Sequence, residues 1–339
     1  MKRTALRLLT RPAVAAVVRP VLRHHATIFM LHRFHDPERG VPGHAPEVVR
    51  RGLAYLRRHR YDLIGLEEMF RRSREGIPLG GSVVFTIDDG YRDQAAVAGP
   101  LFAEFDCPVT VFLTTGFLDR LLWFWWDRIE YVFATTTRTS IRTALGGKEI
   151  DYQWDDDPGR RRARLDFTAR CKEVLDGEKL AAIGRLAAAA EVELPDTAPP
   201  GYAPMTWDDA RACETRGMRF GPHTVTHPIL ARADDAQAER ELRESWLRLK
   251  TELAAPSPVF CYPNGRRQDF GRREVAVLQG LGFSGAVTGE PGYADARQLV
   301  ADPGARFEVP RFSYQEDIPN LVQCVSGMER VKSLLRGRA

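Results

Sequence analysis

Two acidic side chains stand together at Asp88-Asp89, in the stretch TIDDGYRD that follows the apolar run Val83-Val84-Phe85. Asp-Asp-Gly is common in turns, where it merely reverses the chain. It is also a way for a strand end to present two carboxylates with different jobs. His223 and His227, in GPHTVTHP, are four residues apart. On a helical turn that spacing aims both rings the same way, towards one metal ion. A carboxylate from elsewhere would complete a two-His, one-Asp set and leave positions open for water and substrate, which is a catalytic layout. His32, in FMLHRFHD, ends the first predicted strand. Each signal alone has a plain alternative: a turn, a pair of helix histidines, a structural histidine. Three together at strand ends favour a catalytic site.

The elements that must position these residues are legible from periodicity. Short β-branched runs at 27–31, 61–64, 82–87, 109–115, 218–221, 258–262, 284–288 and 306–309 read as strands. Helices are expected over 46–58 and 234–253, the latter with Leu242, Trp246, Leu249 and Leu253 at a helical period. Thr206 with Asp209 resembles a capping box, and Gly217 suits that helix's end. Alternating strands and helices predict a parallel sheet, here a (β/α) barrel with chemistry at the C-terminal strand ends. Neighbouring strand residues point to opposite faces, so Asp88 and Asp89 share a site only where the strand ends and Gly90 lets the chain turn. Residues 119–200 interrupt the rhythm with LLWFWWDRIEYVF and a helical, alanine-rich stretch, and read as an insertion or lid with no core pattern of its own.

Composition narrows the class. In 339 residues, 49 basic side chains nearly balance 45 acidic ones, which gives no argument for a nucleic-acid partner. Five scattered cysteines form no CxxC pair, against a disulfide framework or structural zinc site. In residues 1–25, Arg3, Arg7 and Arg11, then Arg19 and Arg23, fall on i, i+4 rows. This segment reads equally as a basic amphipathic helix on an anionic membrane or as a solvated helix packed on the domain. The expected division is 1–25 as that segment, 26–320 as the barrel, and 321–339 as a basic C-terminal helix. Without a convincing signal peptide, a cytoplasmic place is expected, at the inner membrane face if the basic segment binds lipid.

TIDDG, HTVTH and FCYPNG resemble the signature motifs of the polysaccharide deacetylases, the NodB-homology carbohydrate esterases, over roughly residues 27–312. The resemblance implies a distorted (β/α) barrel of about seven to eight strands with a mainly helical insertion. It implies a divalent metal, zinc first and Mn2+, Co2+ or Ni2+ as substitutes, on Asp89, His223 and His227, with Asp88 as general base. The late L-x-H motif that carries the family's general acid is absent, but MLH at 30–32 has its form. That resembles the circularly rearranged exopolysaccharide and poly-N-acetylglucosamine branch and makes His32 the general acid, with His35 as rival. The arginine of the third motif is missing at Cys261-Tyr262-Pro263-Asn264, and Arg311 is the expected replacement brace for the base.

On this reading the Tyr262 backbone N–H is a second donor to the oxyanion. Trp125, Trp126 and Pro263 are expected to contact substrate, with Trp123 and Phe124 in the same aromatic run. The implied function is removal of N-acetyl groups from amino sugars of a glycan or a lipid-linked saccharide. The alternatives are O-acetyl or other amide hydrolysis on the same site, an inactive carbohydrate-binding homologue, and an iron oxygenase on the same ligand set. A second acid beside the ligand serves hydrolysis better than oxygen chemistry.

Overall fold

The structure, a computed structural model, describes residues 17–335. The expected helix positions Arg3, Arg7 and Arg11 therefore lie outside the described residues. Arg19 lies within a 3-10 turn, Arg19–Leu22, and stacks on the Tyr61 ring, so the described end of that segment packs on the domain. No helix among the described residues is long and apolar enough to cross a membrane.

The centre is a curled parallel sheet. Strands β1 (His25–Leu31), β3 (Ser82–Asp89), β4 (Val109–Leu113) and β7 (Arg219–Pro222) pair in that order, with β2 (Asp62–Leu63) on β3. Strands β8 (Val259–Cys261) and β9 (Gly285–Val287) form a separate parallel pair that continues the curve. Short β10 (Ala294–Asp295) and β11 (Phe312–Ser313) both pair with β1. The result is a half-barrel wrapped by helices. The expected helices over 46–58 and 234–253 appear as Pro46–Arg58 and Asp235–Glu252. The capping box at Thr206 and Asp209 is formed in both directions, and Gly217 takes φ 94° beyond that helix's end.

Strand alternation sorts the core. Phe29, Phe85, Ile87, Val111 and Leu113 pack outward beneath the helices, whereas Ile28, Val84, Phe112, Val259 and Val287 fill the interior. Even-numbered residues of β3 therefore point into the half-barrel, and Asp88 is one of them.

Three expectations fail. The segment 306–309 is not a strand: Pro303–Phe307 is a 3-10 helix, and only Val309 bridges the sheet, at Val287. The prolines at 303 and 310 confine φ and withhold amide donors there, and the last strand begins at Phe312. The insertion does have a core. Trp125, Ile129, Phe133, Ile141, Ile150, Tyr152, Phe167 and Leu186 form one buried cluster. They come from helices Trp125–Thr135, Asp157–Cys171 and Asp176–Ala189 around a hairpin of β5 (Ser140–Leu145) and β6 (Lys148–Gln153). The C-terminal segment is two helices, Ile318–Val325 and Met328–Leu335, instead of one; residues 336–339 lie outside the described residues.

Candidate active site

Asp88 and Asp89 separate by backbone geometry. Asp88 follows the inward register of Val84 and Thr86. Asp89, which plain alternation would send outward under the helices, has φ 94°, and this turns it to the same side. Gly90 follows at φ 97°, where an added Cβ would sit 2.7 Å from Leu118 Cδ1. Of the eight non-glycine residues with positive φ among those described, Asp89, Thr224, His227 and Asn264 are all at this site. Backbone held in this region costs energy and persists only where its surroundings enforce it.

Arg311 reaches Asp88 from just before β11. Its Nη1 and Nη2 donate to Oδ1 and Oδ2 at 2.7 and 2.8 Å, and Nη1 also donates to Thr86 Oγ1 at 2.9 Å. Nε donates to Thr288 O at 2.8 Å, and both partners are buried. Burial alone would raise the Asp88 pKa; the bidentate guanidinium outweighs it and holds the carboxyl well below the usual carboxylate range. Arg311 is therefore placed against Asp88 from outside the third motif. Cys261, where common members carry the arginine, puts its thiol 3.6 Å from Asp88 Oδ2 and 3.2 Å from Arg311 Nη2.

His223 and His227 do converge, but not on a helical turn. They flank a loop after β7 in which Thr224 and His227 have φ 67° and 60°. Asp89 Oδ1 lies 3.7 Å from Nε2 of each histidine. Three donors each about 2.1 Å from one tetrahedral ion sit ~3.4 Å apart, so the set fits a divalent metal with a small closing movement. His223 Nδ1 donates to Cys261 O at 2.7 Å, which leaves the Nε2 lone pair for a metal. Burial pushes the His223 pKa down to about 4 and that of His227 well below its usual value, so both rings are neutral at neutral pH, the form a metal would need. Asp88, His223 and Cys261 form a second close group. Both Asp88 oxygens are bound to Arg311 and burial holds the Cys261 thiol protonated, so that group is the poorer metal site.

The ligand loop has supports that the sequence did not announce. Glu241, buried on the helix Asp235–Glu252, accepts from Val225 N at 2.7 Å, Thr226 N at 2.9 Å and Thr226 Oγ1 at 2.5 Å. Gln94, fully buried, donates to His32 O at 2.6 Å and to Asp88 O, and accepts from Gly90 N at 3.1 Å. Trp126 meets His227 edge-on at 4.7 Å. Glu241 lies fifteen or sixteen residues from the amides it holds, and no local motif marks it. Replacing Glu241 with Ala leaves both amides and the Thr226 hydroxyl without their acceptor, and divalent-metal affinity should fall about 10–100-fold in a competition titration.

His32 follows β1 and places Nε2 3.9 Å from Asp88 Oδ2, with its side chain half exposed. Desolvation lowers its pKa, Asp88 pulls it back up, and Arg311 adds to the lowering. His35 is elsewhere, its Nδ1 bonded to Val41 O at 3.0 Å. Three further expectations are corrected. The Tyr262 N–H donates to Val287 O at 3.3 Å within the β8–β9 ladder, so it is not free for an oxyanion. Pro263 is buried and does not line the cavity; its neighbours Tyr262 and Asn264 do. Trp123 and Phe124 are packed with Tyr91 and Phe117, leaving Trp125 and Trp126 on the cavity wall.

His32, Asp88, Asp89, His223, His227 and Arg311 face one cavity of about 440 Å³, within the size range of small-molecule sites. The insertion closes one side of it with Asp127, Glu130, Arg164, Thr168 and Lys172. Asp127, which the sequence left unplaced, accepts from Tyr91 Oη at 2.7 Å, and burial raises its pKa to about 7.

Comparison with known proteins bears on the fold and on part of the chain. The family model described as polysaccharide deacetylase matches residues 144–284. That stretch includes His223, His227 and Cys261 but stops short of Arg311 and begins after Asp88. The fold is similar to the deacetylase PplD of Streptococcus pyogenes, at 18% identity and a TM-score of 0.57, covering 89% of this chain and 98% of that one. It is similar to IcaB from Ammonifex degensii, at 16% identity and 0.55, covering 89% and 97%. A de-N-acetylase from Aggregatibacter actinomycetemcomitans aligns at 12% identity and 0.53, over 88% and 99%. No curated protein sequence matches the chain.

Proposed function

We propose that this polysaccharide deacetylase depends on a divalent metal, zinc first, and removes N-acetyl groups from amino sugars of a glycan. One observation carries the reading: Asp89, His223 and His227 converge beside a second carboxylate, Asp88, that an arginine keeps ionised. When bound there, the metal supplies Lewis acidity, lowering the pKa of water towards about 7 and polarising the acetyl carbonyl. Asp88 takes the proton of the attacking water. Its bidentate bond to Arg311 fixes its orientation and its charge. His32, on the open side, delivers a proton to the departing amine nitrogen. Because the resting His32 pKa is lowered, the ring is neutral at neutral pH and must gain its proton during turnover. Asp88, 3.9 Å away, is the nearest source.

His32→Ala should lower kcat for acetate release about 100-fold, the low end for a general acid, because the half-exposed site admits water as a substitute donor. KM and bound metal should be unchanged. Full activity in this variant would remove His32 from the mechanism. The direct test of function is acetate release and new amine from N-acetylated glycans, with and without chelator. Acetate without a new amine would point to ester substrates instead.

A further inference from the structure

Asp127 and Arg128 are adjacent in the helix Trp125–Thr135 but line different cavities. Asp127 lines the catalytic one. Arg128 lines a second of about 510 Å³, walled in part by Trp123, Leu180 and Leu194. Trp125 and His227 line both, so the partition between them is an indole and an imidazole.

Lys179, the other cation of the second cavity, is compensated: it pairs with Asp176 and lies 4.9 Å from the Trp125 ring. Arg128 is not. It makes no side-chain hydrogen bond or ion pair among the described residues, and its Nε is buried without a partner. Asp176 and Asp196 line the same cavity, yet neither pairs with it. Burial lowers its pKa, and no carboxylate opposes the shift. Arg128 is half-buried, and a guanidinium partly withdrawn from water without a counter-charge is poorly compensated, whereas beside a phosphate or carboxylate its planar fork makes two parallel charge-assisted hydrogen bonds. Trp123, Leu180 and Leu194 lower the local dielectric on their side of the cavity, which strengthens that attraction.

We propose that the second cavity binds an anionic group, a phosphate or carboxylate, on the same acetylated glycan that enters the catalytic cavity, with Arg128 as its partner. The link to a glycan rests on the deacetylase reading; anion binding at Arg128 does not. The pairing makes Arg128 a specificity determinant that favours charged substrates over neutral ones.

Calorimetry on the metal-loaded full chain tests this with three probes: N-acetylglucosamine 1-phosphate, an N-acetylated oligosaccharide bearing a carboxylate, and a neutral N-acetylglucosamine oligomer. Wild type should bind at least one anionic probe about tenfold more tightly than the neutral one, and the tighter arm identifies the anion. Arg128→Gln should erase that preference, leave neutral binding unchanged and melt no lower than wild type, since it removes an unpaired charge. Arg128→Lys, which keeps the charge but loses the fork, should fall between. Equal binding of charged and neutral probes by wild type would overturn the proposal. So would a preference that survives in Arg128→Gln, the signature of an anion held by the metal, or a lowered Tm in that variant, which would make Arg128 structural. Binding is read without turnover. Absence of acetate release in a parallel assay would therefore sink the deacetylase reading and leave the anion site standing.

Discussion

Arg311→Ala should destabilise the fold by about 3–5 kcal/mol and lower acetate release by about 10²–10⁴, with Thr86, Asp88 and Cys261 otherwise intact. The stability loss follows because the change leaves a buried carboxylate with no counter-charge. The activity loss follows because burial then dominates the Asp88 pKa and raises it, so the base becomes protonated. The sign with pH is fixed. A depressed carboxyl pKa contributes stability that is present above the ordinary value of 3.8 and is lost as pH falls through the folded value. The gap in unfolding free energy between wild type and variant should therefore close in strong acid, and the acidic limb of the variant's rate profile should move to higher pH. Denaturant titrations at several pH values read the first, and initial rates read the second. A variant as stable as wild type at neutral pH would show that Asp88 is not charged in the fold.

Asp89→Ala should abolish stoichiometric metal binding and take the hydrolytic activity with it. Losing one oxyanion contact costs about 10²–10³ in kcat, and losing a ligand removes water activation as well. Metal uptake by wild type should also be linked to pH through this residue. Burial, with Asp88 beside it, raises the metal-free Asp89 pKa well above 3.8, whereas His223 stays neutral down to about 4. Binding should therefore release a proton from Asp89 and not from His223. The metal-free protein loses stability as pH rises from 3.8 through the raised pKa, because the folded state resists ionising the carboxyl. The Tm gained on adding zinc should consequently grow as pH rises over that interval. A gain independent of pH would place the metal on other ligands.

The residues of the candidate site are legible in the sequence because their motifs are local. TIDDG and HTVTH each compress two candidate groups into five residues, and Arg311 stands out because the third motif lacks its arginine. Their geometry was less legible. Four-apart histidines suggested a helical turn, but their convergence comes from left-handed backbone at Thr224 and His227, a conformation that no side-chain pattern advertises. The Tyr262 amide was misassigned because sheet pairing with Val287 is a long-range event. The insertion's core was missed although part of its signal was present. Ile141, Thr143 and Leu145 alternate inward, Ile150 and Tyr152 answer them, and Gly146-Gly147 is a two-residue hairpin turn. Glu241 and Gln94 were invisible for a simpler reason: their partners are backbone groups fixed only by the fold.

The Asp88–Arg311 pair spans 223 residues, which has a consequence for the newborn chain. Synthesis at about 5–20 residues per second separates the emergence of the two partners by tens of seconds. Throughout that delay a half-barrel already able to enclose Asp88 would hold it as a neutral acid, unable to accept a proton from water. The enzyme is thus timed by its own topology. On the proposed mechanism Asp88 becomes a base only when Arg311 arrives, and a nascent chain halted before residue 311 should remain silent towards acetylated glycans even with Asp89, His223 and His227 assembled.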